Sequence, residues 1–142
     1  MEFVPVRTYR IAVLGSFRAH CHEPMTEEDA QGEIMPWPRF PGIDYSKTRS
    51  VEVDGNSMAP RYPHGSFALI RPVDKGDWQH ARGIHAVSTK TEMFVIKRID
   101  DCENGVLVMR ATNPDMPLTL RIELSDINCL WKVLAGYALE DK

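Results

Sequence analysis

The chain has 142 residues, 43% of them hydrophobic and 26% charged, which is typical of one globular domain with its own hydrophobic core. Its formal net charge of -3 argues against a surface that neutralises nucleic-acid phosphates, because such surfaces are usually basic. The three cysteines are widely separated and lack metal-ligand spacing, and no apolar run suits a membrane span or a signal peptide. We therefore expect a cytoplasmic protein without membrane anchor, metal or cofactor.

The first third of the chain predicts one strand and then a long loop. "RTYRIAVLG", residues 7–15, has the β-branched and aromatic content of a strand. Residues 16–48 contain four prolines and the acidic stretch "TEEDAQGE", which disfavour a sustained helix or a central strand. A loop of this length inside a compact domain is usually either functional or disordered.

From residue 50 onward the pattern is typical of a β domain. Short alternating or β-branched runs are separated by turn signals such as "PHG", "CENG" and "TNPDMP". The predicted strands cover residues 50–54, 66–71, 84–88, 92–99, 105–111, 118–124 and 129–138. We expect an all-β or mostly β fold of small, rolled or barrel-like antiparallel sheets. Residues 1–49 would carry the N-terminal strand and loop, and residues 50–142 the β domain.

Ser57 lies in "VDGNSMAP", residues 53–60, between two predicted strands. Taken alone, a serine after Gly-Asn is more typical of a residue that caps a turn.

Lys97, in "MFVIKRI", favours a catalytic interpretation of Ser57 instead. Strand alternation puts Met93, Val95, Lys97 and Ile99 on one face, and both faces of this strand are mostly apolar. Lys97 is then either an edge residue with a snorkelling ammonium or a buried neutral lysine that could act as a base for a serine.

These two segments carry a family resemblance. "GNSMAPRYPHGSFALI", followed some forty residues later by "FVIKRI", resembles the C-terminal domain of the LexA and phage-repressor family, to which the polymerase-accessory protein UmuD is related. The resemblance implies that Ser57 is a nucleophile and Lys97 its base, and that this pair cuts a peptide bond in the chain's own upstream loop. It also implies an oxyanion site built from the backbone around Ser57, at Asn56, Ser57 and Met58.

The resemblance further implies a cleavage site in the long loop. Relatives have a scissile Ala-Gly or Cys-Gly, often followed by Glu-Pro, and "VLGSFRAHCHEP" aligns Cys21-His22 with that bond. Ala19-His20 is the second candidate. Neither has the glycine that suits a tight scissile turn, so we expect slow or absent cleavage.

Partners follow from the same resemblance. The terminal run "CLWKVLAGYAL" is apolar on both sides, which favours a homodimer. Repressors of this family carry an N-terminal helix-turn-helix, which this sequence does not show, so DNA would be contacted only through an absent domain. A RecA-like activator or an antirepressor would supply the signal. The alternatives are a non-cleaving dimerisation or partner-binding module and a UmuD-like polymerase accessory protein.

Overall fold

The computed structural model describes residues 2–19 and 32–138. These residues form a mostly β structure with one short α-helix, α1, at Leu14–Ala19, preceded by a 3-10 turn at Ile11–Val13. The strands in chain order are β1 Phe3–Tyr9, β2 Glu33–Pro38, β3 Arg49–Glu52, β4 Phe67–Pro72, β5 Gly83–Thr89, β6 Phe94–Glu103, β7 Val106–Arg110, β8 Thr119–Glu123 and β9 Ile127–Tyr137.

All nine strands belong to one mixed sheet in the order β2-β1-β3-β4-β9-β5-β6-β7-β8. Neighbouring strands are antiparallel except β1 and β3, which are parallel. The predicted mostly β fold class is confirmed. Strands from the first 49 residues join the same sheet as the strands that follow.

The sheet carries apolar cores on both of its faces. Successive residues of a strand point to opposite faces, and in β9 Leu130 and Trp131, both buried, belong to different clusters. The Trp131 cluster also contains Phe17 of α1 and Met58, so it lies beneath the Ser57 turn. A third cluster lies where β1 and β2 meet the ends of β4 and β9. Because both faces are packed, most strands lack a simple alternation of apolar and polar residues.

Two local predictions in the N-terminal third were wrong. The strand predicted over residues 7–15 ends at Tyr9, and the chain from Ile11 to Ala19 is helical. The predicted loop also contains β2, which pairs with β1 at the outer edge of the sheet. Pro36 and Pro38 are compatible with β2 because an edge strand needs hydrogen-bond donors on one side only. Met35 and Trp37 of β2 are buried, and this burial stabilises the strand.

Candidate active site

Ser57 lies in a tight turn that follows β3. Gly55 has a φ of 87°, a left-handed conformation that favours glycine, and it lets the chain reverse two residues before the serine. The turn is tied to the start of β4 because Val53 N–H donates to the Ser66 carbonyl at 2.8 Å. Met58 is 1% exposed and packs into the core beneath, so it anchors the turn from below. Ser57 itself is half-buried at the surface of the sheet.

Lys97 lies on β6 at a point where one edge of this strand is open. β5 pairs with β6 from Phe94 onward, whereas the pairing with β7 begins only at Arg98. The free edge before Arg98 therefore borders the Ser57 turn. Lys97 is 7% exposed, and its ammonium Nζ donates to Ser57 Oγ at 2.7 Å and to the Ile96 carbonyl at 3.2 Å. The structure thus brings together the two residues that the sequence singled out, and Lys97 is buried rather than snorkelling.

The surroundings of Lys97 favour its neutral form. Burial lowers the pKa of the Lys97 ammonium below the ordinary lysine value, because the charged form loses hydration when it leaves water. No carboxylate pairs with Nζ among the described residues, so no counter-ion opposes this shift. Once Lys97 is neutral, the hydrogen bond can reverse and the Ser57 hydroxyl can donate to Nζ. This is the arrangement in which an amine can accept a proton from a serine.

A cleft of about 310 Å³ opens over the pair. Its walls combine apolar side chains from the free edge of β6 and from the 11–19 segment with three carboxylates. The apolar residues are Ile11, Leu14, Val53, Met58, Phe94, Val95 and Ile96, and the acidic residues are Glu52, Asp54 and Glu92. The cleft has the size of a few side chains and borders an unpaired strand edge, so an extended peptide can lie along it.

The backbone around Ser57 has unused donors. The N–H groups of Asn56, Ser57 and Met58 donate to no acceptor within residues 2–19 and 32–138. Their carbonyls are engaged: the Asn56 carbonyl accepts from Ala59 N–H at 3.1 Å, and the Met58 carbonyl from Tyr62 N–H at 3.0 Å. Free N–H groups beside a nucleophile are the elements from which an oxyanion site is built.

Asn113 is a contact of this turn that the sequence did not predict. Its side-chain Nδ2 donates to the Asn56 carbonyl at 2.7 Å, and its backbone N–H donates to the Ser57 carbonyl at 2.9 Å. Thr112 Oγ1 contacts Met58 Sδ at 3.7 Å. Sequence inspection identified "TNPDMP" only as a turn, since nothing local indicates what a turn will contact.

The 11–19 segment leads from the cleft towards the predicted cleavage site. Ile11 N–H donates to Glu52 Oε1 at 2.9 Å, and Phe17 packs against the rings of Tyr9 and Trp131 with centroid distances of 4.6 and 5.0 Å. Ala19, one candidate scissile residue, ends α1. The other three, His20, Cys21 and His22, lie outside the described residues.

Other expectations concern metals, membranes and thiols. No group of three or more His, Cys, Asp or Glu side chains suited to a metal ion occurs in the described ranges. None of the helical segments described has the length and hydrophobicity that crossing a membrane requires. Cys102 is a free thiol, whereas Cys129 is disulfide-bonded, which the odd number and wide spacing of the cysteines did not predict.

One of three comparisons with known proteins gives a match. No curated protein and no solved structure matches the chain at a significant level. A family model described as Peptidase S24-like matches residues 12–128, a range that includes Ser57, Lys97 and most of the sheet. This match confirms the resemblance to the C-terminal domains of LexA, phage repressors and UmuD, and the chain belongs to the Peptidase S24-like family.

Proposed function

We propose that this chain is the self-cleaving regulatory domain of a LexA-like or phage-repressor-like protein, with Ser57 as nucleophile and Lys97 as general base. The observation that carries the proposal is the 2.7 Å contact between Lys97 Nζ and Ser57 Oγ, together with the burial of Lys97. A buried lysine with a lowered pKa and without a counter-ion is expensive to maintain for stability alone. Its position beside a serine supports a role in proton transfer.

In the proposed reaction, Ser57 Oγ attacks the carbonyl carbon of Cys21, or of Ala19, while its proton passes to Lys97 Nζ. The resulting oxyanion accepts hydrogen bonds from the free N–H groups of the Ser57 turn. The tetrahedral intermediate then collapses, the C–N bond breaks, and Lys97 returns the proton to the departing amine of His22 or His20. Water hydrolyses the acyl ester and regenerates the Ser57 hydroxyl.

The test is incubation of the purified chain at neutral and alkaline pH, with fragment masses measured over time. We expect slow or absent cleavage in the wild type and faster cleavage in His22→Gly, since glycine relieves the backbone constraint at the scissile turn. The rate rises with pH until Lys97 is fully deprotonated. In the His22→Gly background, Ser57→Ala and Lys97→Ala are the matched controls and abolish cleavage. A new terminus at residue 22 identifies Cys21-His22 as the site, and one at residue 20 identifies Ala19-His20.

A non-cleaving dimerisation or partner-binding module is the second candidate. The presence of His22 where relatives have glycine favours it. If His22→Gly stays intact at pH 10 while the fold persists, self-cleavage is wrong and this candidate replaces it. A UmuD-like role as a polymerase accessory protein is compatible with either outcome.

The proposed partner is a second copy of the chain. An apolar groove of about 770 Å³ lies beside the C-terminal end of β9, lined in part by Phe40, Ile43, Leu134 and Tyr137. Such a groove next to an apolar terminal strand supports a twofold dimer. We expect sedimentation to give a dimer at a protein concentration on the order of tens of micromolar, as is typical of a modest interface. Leu134→Asp should shift the sedimentation coefficient to that of a monomer. In a repressor, this dimer would hold two DNA-binding domains together. A RecA-like activator or an antirepressor would supply the signal, and self-cleavage would separate the DNA-binding domains from the dimer.

A further inference from the structure

One residue of the loop between β7 and β8, Asn113, holds two backbone carbonyls of the Ser57 turn. Two consecutive carbonyls of the turn, those of Asn56 and Ser57, accept from Asn113 at 2.7 and 2.9 Å. Asn113 lies 57 positions from Asn56 in the chain, so the contact is a tertiary one. No other residue in the described ranges donates to both carbonyls.

These two carbonyls belong to the two peptide units that flank the α-carbon of the nucleophile, Ser57. In a trans peptide the C=O and the N–H of one planar unit point in opposite directions. The unit with the Asn56 carbonyl carries the Ser57 N–H, and the unit with the Ser57 carbonyl carries the Met58 N–H. A donor that holds the two carbonyls from one side therefore turns both N–H groups to the opposite side. Both of these N–H groups lack an acceptor among the described residues.

The orientation of the Asn113 amide is itself determined by its neighbours. Its Oδ1 accepts from Asp115 N–H at 2.9 Å, which assigns the oxygen to that side and leaves Nδ2 facing the Asn56 carbonyl. Met116 N–H donates to the Asn113 carbonyl at 3.0 Å and closes the loop on itself. The donor is thus preorganised, which is the property that makes electrostatic stabilisation of an oxyanion effective.

We propose that Asn113 is a positioning residue that orients the Ser57 and Met58 N–H groups as the oxyanion site of the Ser57-Lys97 pair. This inference rests on the proposed function. It assigns to the β7–β8 loop a part in catalysis although Asn113 touches no reacting atom. Its effect falls on the transition state, because only there does negative charge develop opposite these N–H groups.

The experiment uses a small fluorophosphonate, so that the result does not depend on the scissile sequence. Ser57 Oγ attacks phosphorus, its proton passes to Lys97 Nζ, fluoride leaves, and the mass gain of the intact chain reports the adduct. The dependence of the rate on probe concentration separates kinact from KI. The variants are Asn113→Asp, which keeps the size but removes the Nδ2 donor to the Asn56 carbonyl, and Asp115→Asn as control. The backbone N–H of residue 113 stays in each of them. Asp115 is exposed in the same loop, and its side chain bonds to no described residue.

We expect Asn113→Asp to lower kinact at least tenfold, towards the loss of about 10²–10³ seen when an oxyanion donor is deleted. KI stays at the wild-type value, because the cleft walls do not change. The apparent pKa of kinact is compared in Asn113→Ala, which adds no charge and should keep the wild-type value. Asp115→Asn reacts as the wild type does. Asn113→Ala removes the donor without adding a charge, and it carries the test if the aspartate unfolds the turn.

Different results would overturn the positioning role of Asn113 and the proposed function. If the folded Asn113 variants react at the wild-type rate, or lose rate only through KI or a shifted pKa, the positioning role is wrong while the Ser57-Lys97 pair stands. If wild-type Ser57 does not react and Ser57→Ala behaves identically, the proposed function is wrong, and the inference about Asn113 is overturned with it.

Discussion

Phe17→Ala is expected to detach the segment that leads from the sheet to the predicted cleavage site. Phe17 is 3% exposed, and its ring lies 4.6 Å from Tyr9, 5.0 Å from Trp131 and 6.3 Å from Phe94 between centroids. Among the side chains of the 11–19 segment whose burial the structure describes, Phe17 is the buried one, whereas Ile11, Val13 and Leu14 are half-buried. Of these side chains, the Phe17 ring therefore contributes most to docking of the segment onto the sheet.

The magnitude follows from the loss of that ring. Truncation of a buried phenylalanine to alanine costs about 3–5 kcal/mol. A loss of this size lowers the equilibrium constant for docking of the segment by a factor of about 10²–10³ or more, at about 1.4 kcal/mol for each factor of ten. Cleavage in the His22→Gly background should slow by up to that factor, because the loop loses its effective concentration at Ser57. The loss of global stability is smaller, since it cannot exceed the docking free energy of the segment.

Hydrogen exchange measures the docking directly. We expect the amides of residues 11–19 to exchange at least tenfold faster in Phe17→Ala, while the amides of β9 keep wild-type protection. Phe3→Ala is the matched control, because Phe3 is the same residue type but 51% exposed on β1. Fluorophosphonate labelling of Ser57 should persist in both variants, because Ser57 and Lys97 lie on other elements. In Phe17→Ala only its KI should change, because Ile11 and Leu14 line the cleft. If exchange at residues 11–19 and the cleavage rate are the same in Phe17→Ala and Phe3→Ala, Phe17 does not dock this segment.

Three further predictions concern stability. Lys97→Met should raise the melting temperature at neutral pH, because burial of the ammonium destabilises the fold at pH values below the lowered pKa of Lys97. This gain in melting temperature should shrink as pH rises towards 10.5, and a gain that is constant with pH would contradict the prediction. Burial lowers the pKa of His85, so the urea midpoint should fall as pH drops below 6.5, and His85→Gln should remove this acid dependence. Gly136→Ala places a Cβ 2.8 Å from Tyr62 Cε1 and should lower the free energy of unfolding by about 1–3 kcal/mol. Gly76→Ala is the control, because its Cβ meets nothing within 4 Å, and equal urea midpoints of the two variants would refute the clash.

Local signals explain which predictions succeeded. The turn at Gly55 and the apolar residues on both faces of the strand around Lys97 are properties of short segments. The strands after residue 50 and the two candidate residues, Ser57 and Lys97, could therefore be predicted without a structure. Their order and spacing carried the family resemblance that the Peptidase S24-like match confirms. The sequence also shows directly that residue 22 is a histidine where relatives have glycine.

Long-range contacts explain the rest. β2 exists because Met35 and Trp37 bury against β1, and a strand with two prolines gives no local sign of this. Residues 11–19 are helical because Phe17 packs between rings from other elements, although the β-branched content of residues 7–15 favoured a strand. The contact between Asn113 and the Ser57 turn joins positions 57 apart, and only the packing of the β7–β8 loop beside the open edge of β6 creates it. The chemical groups of the candidate site and the strands that carry them could be predicted from the chain alone, because they depend on residue type and short spacing. The groups that orient the site could be identified only in the folded protein, since they depend on pairings across the sheet that no local pattern encodes.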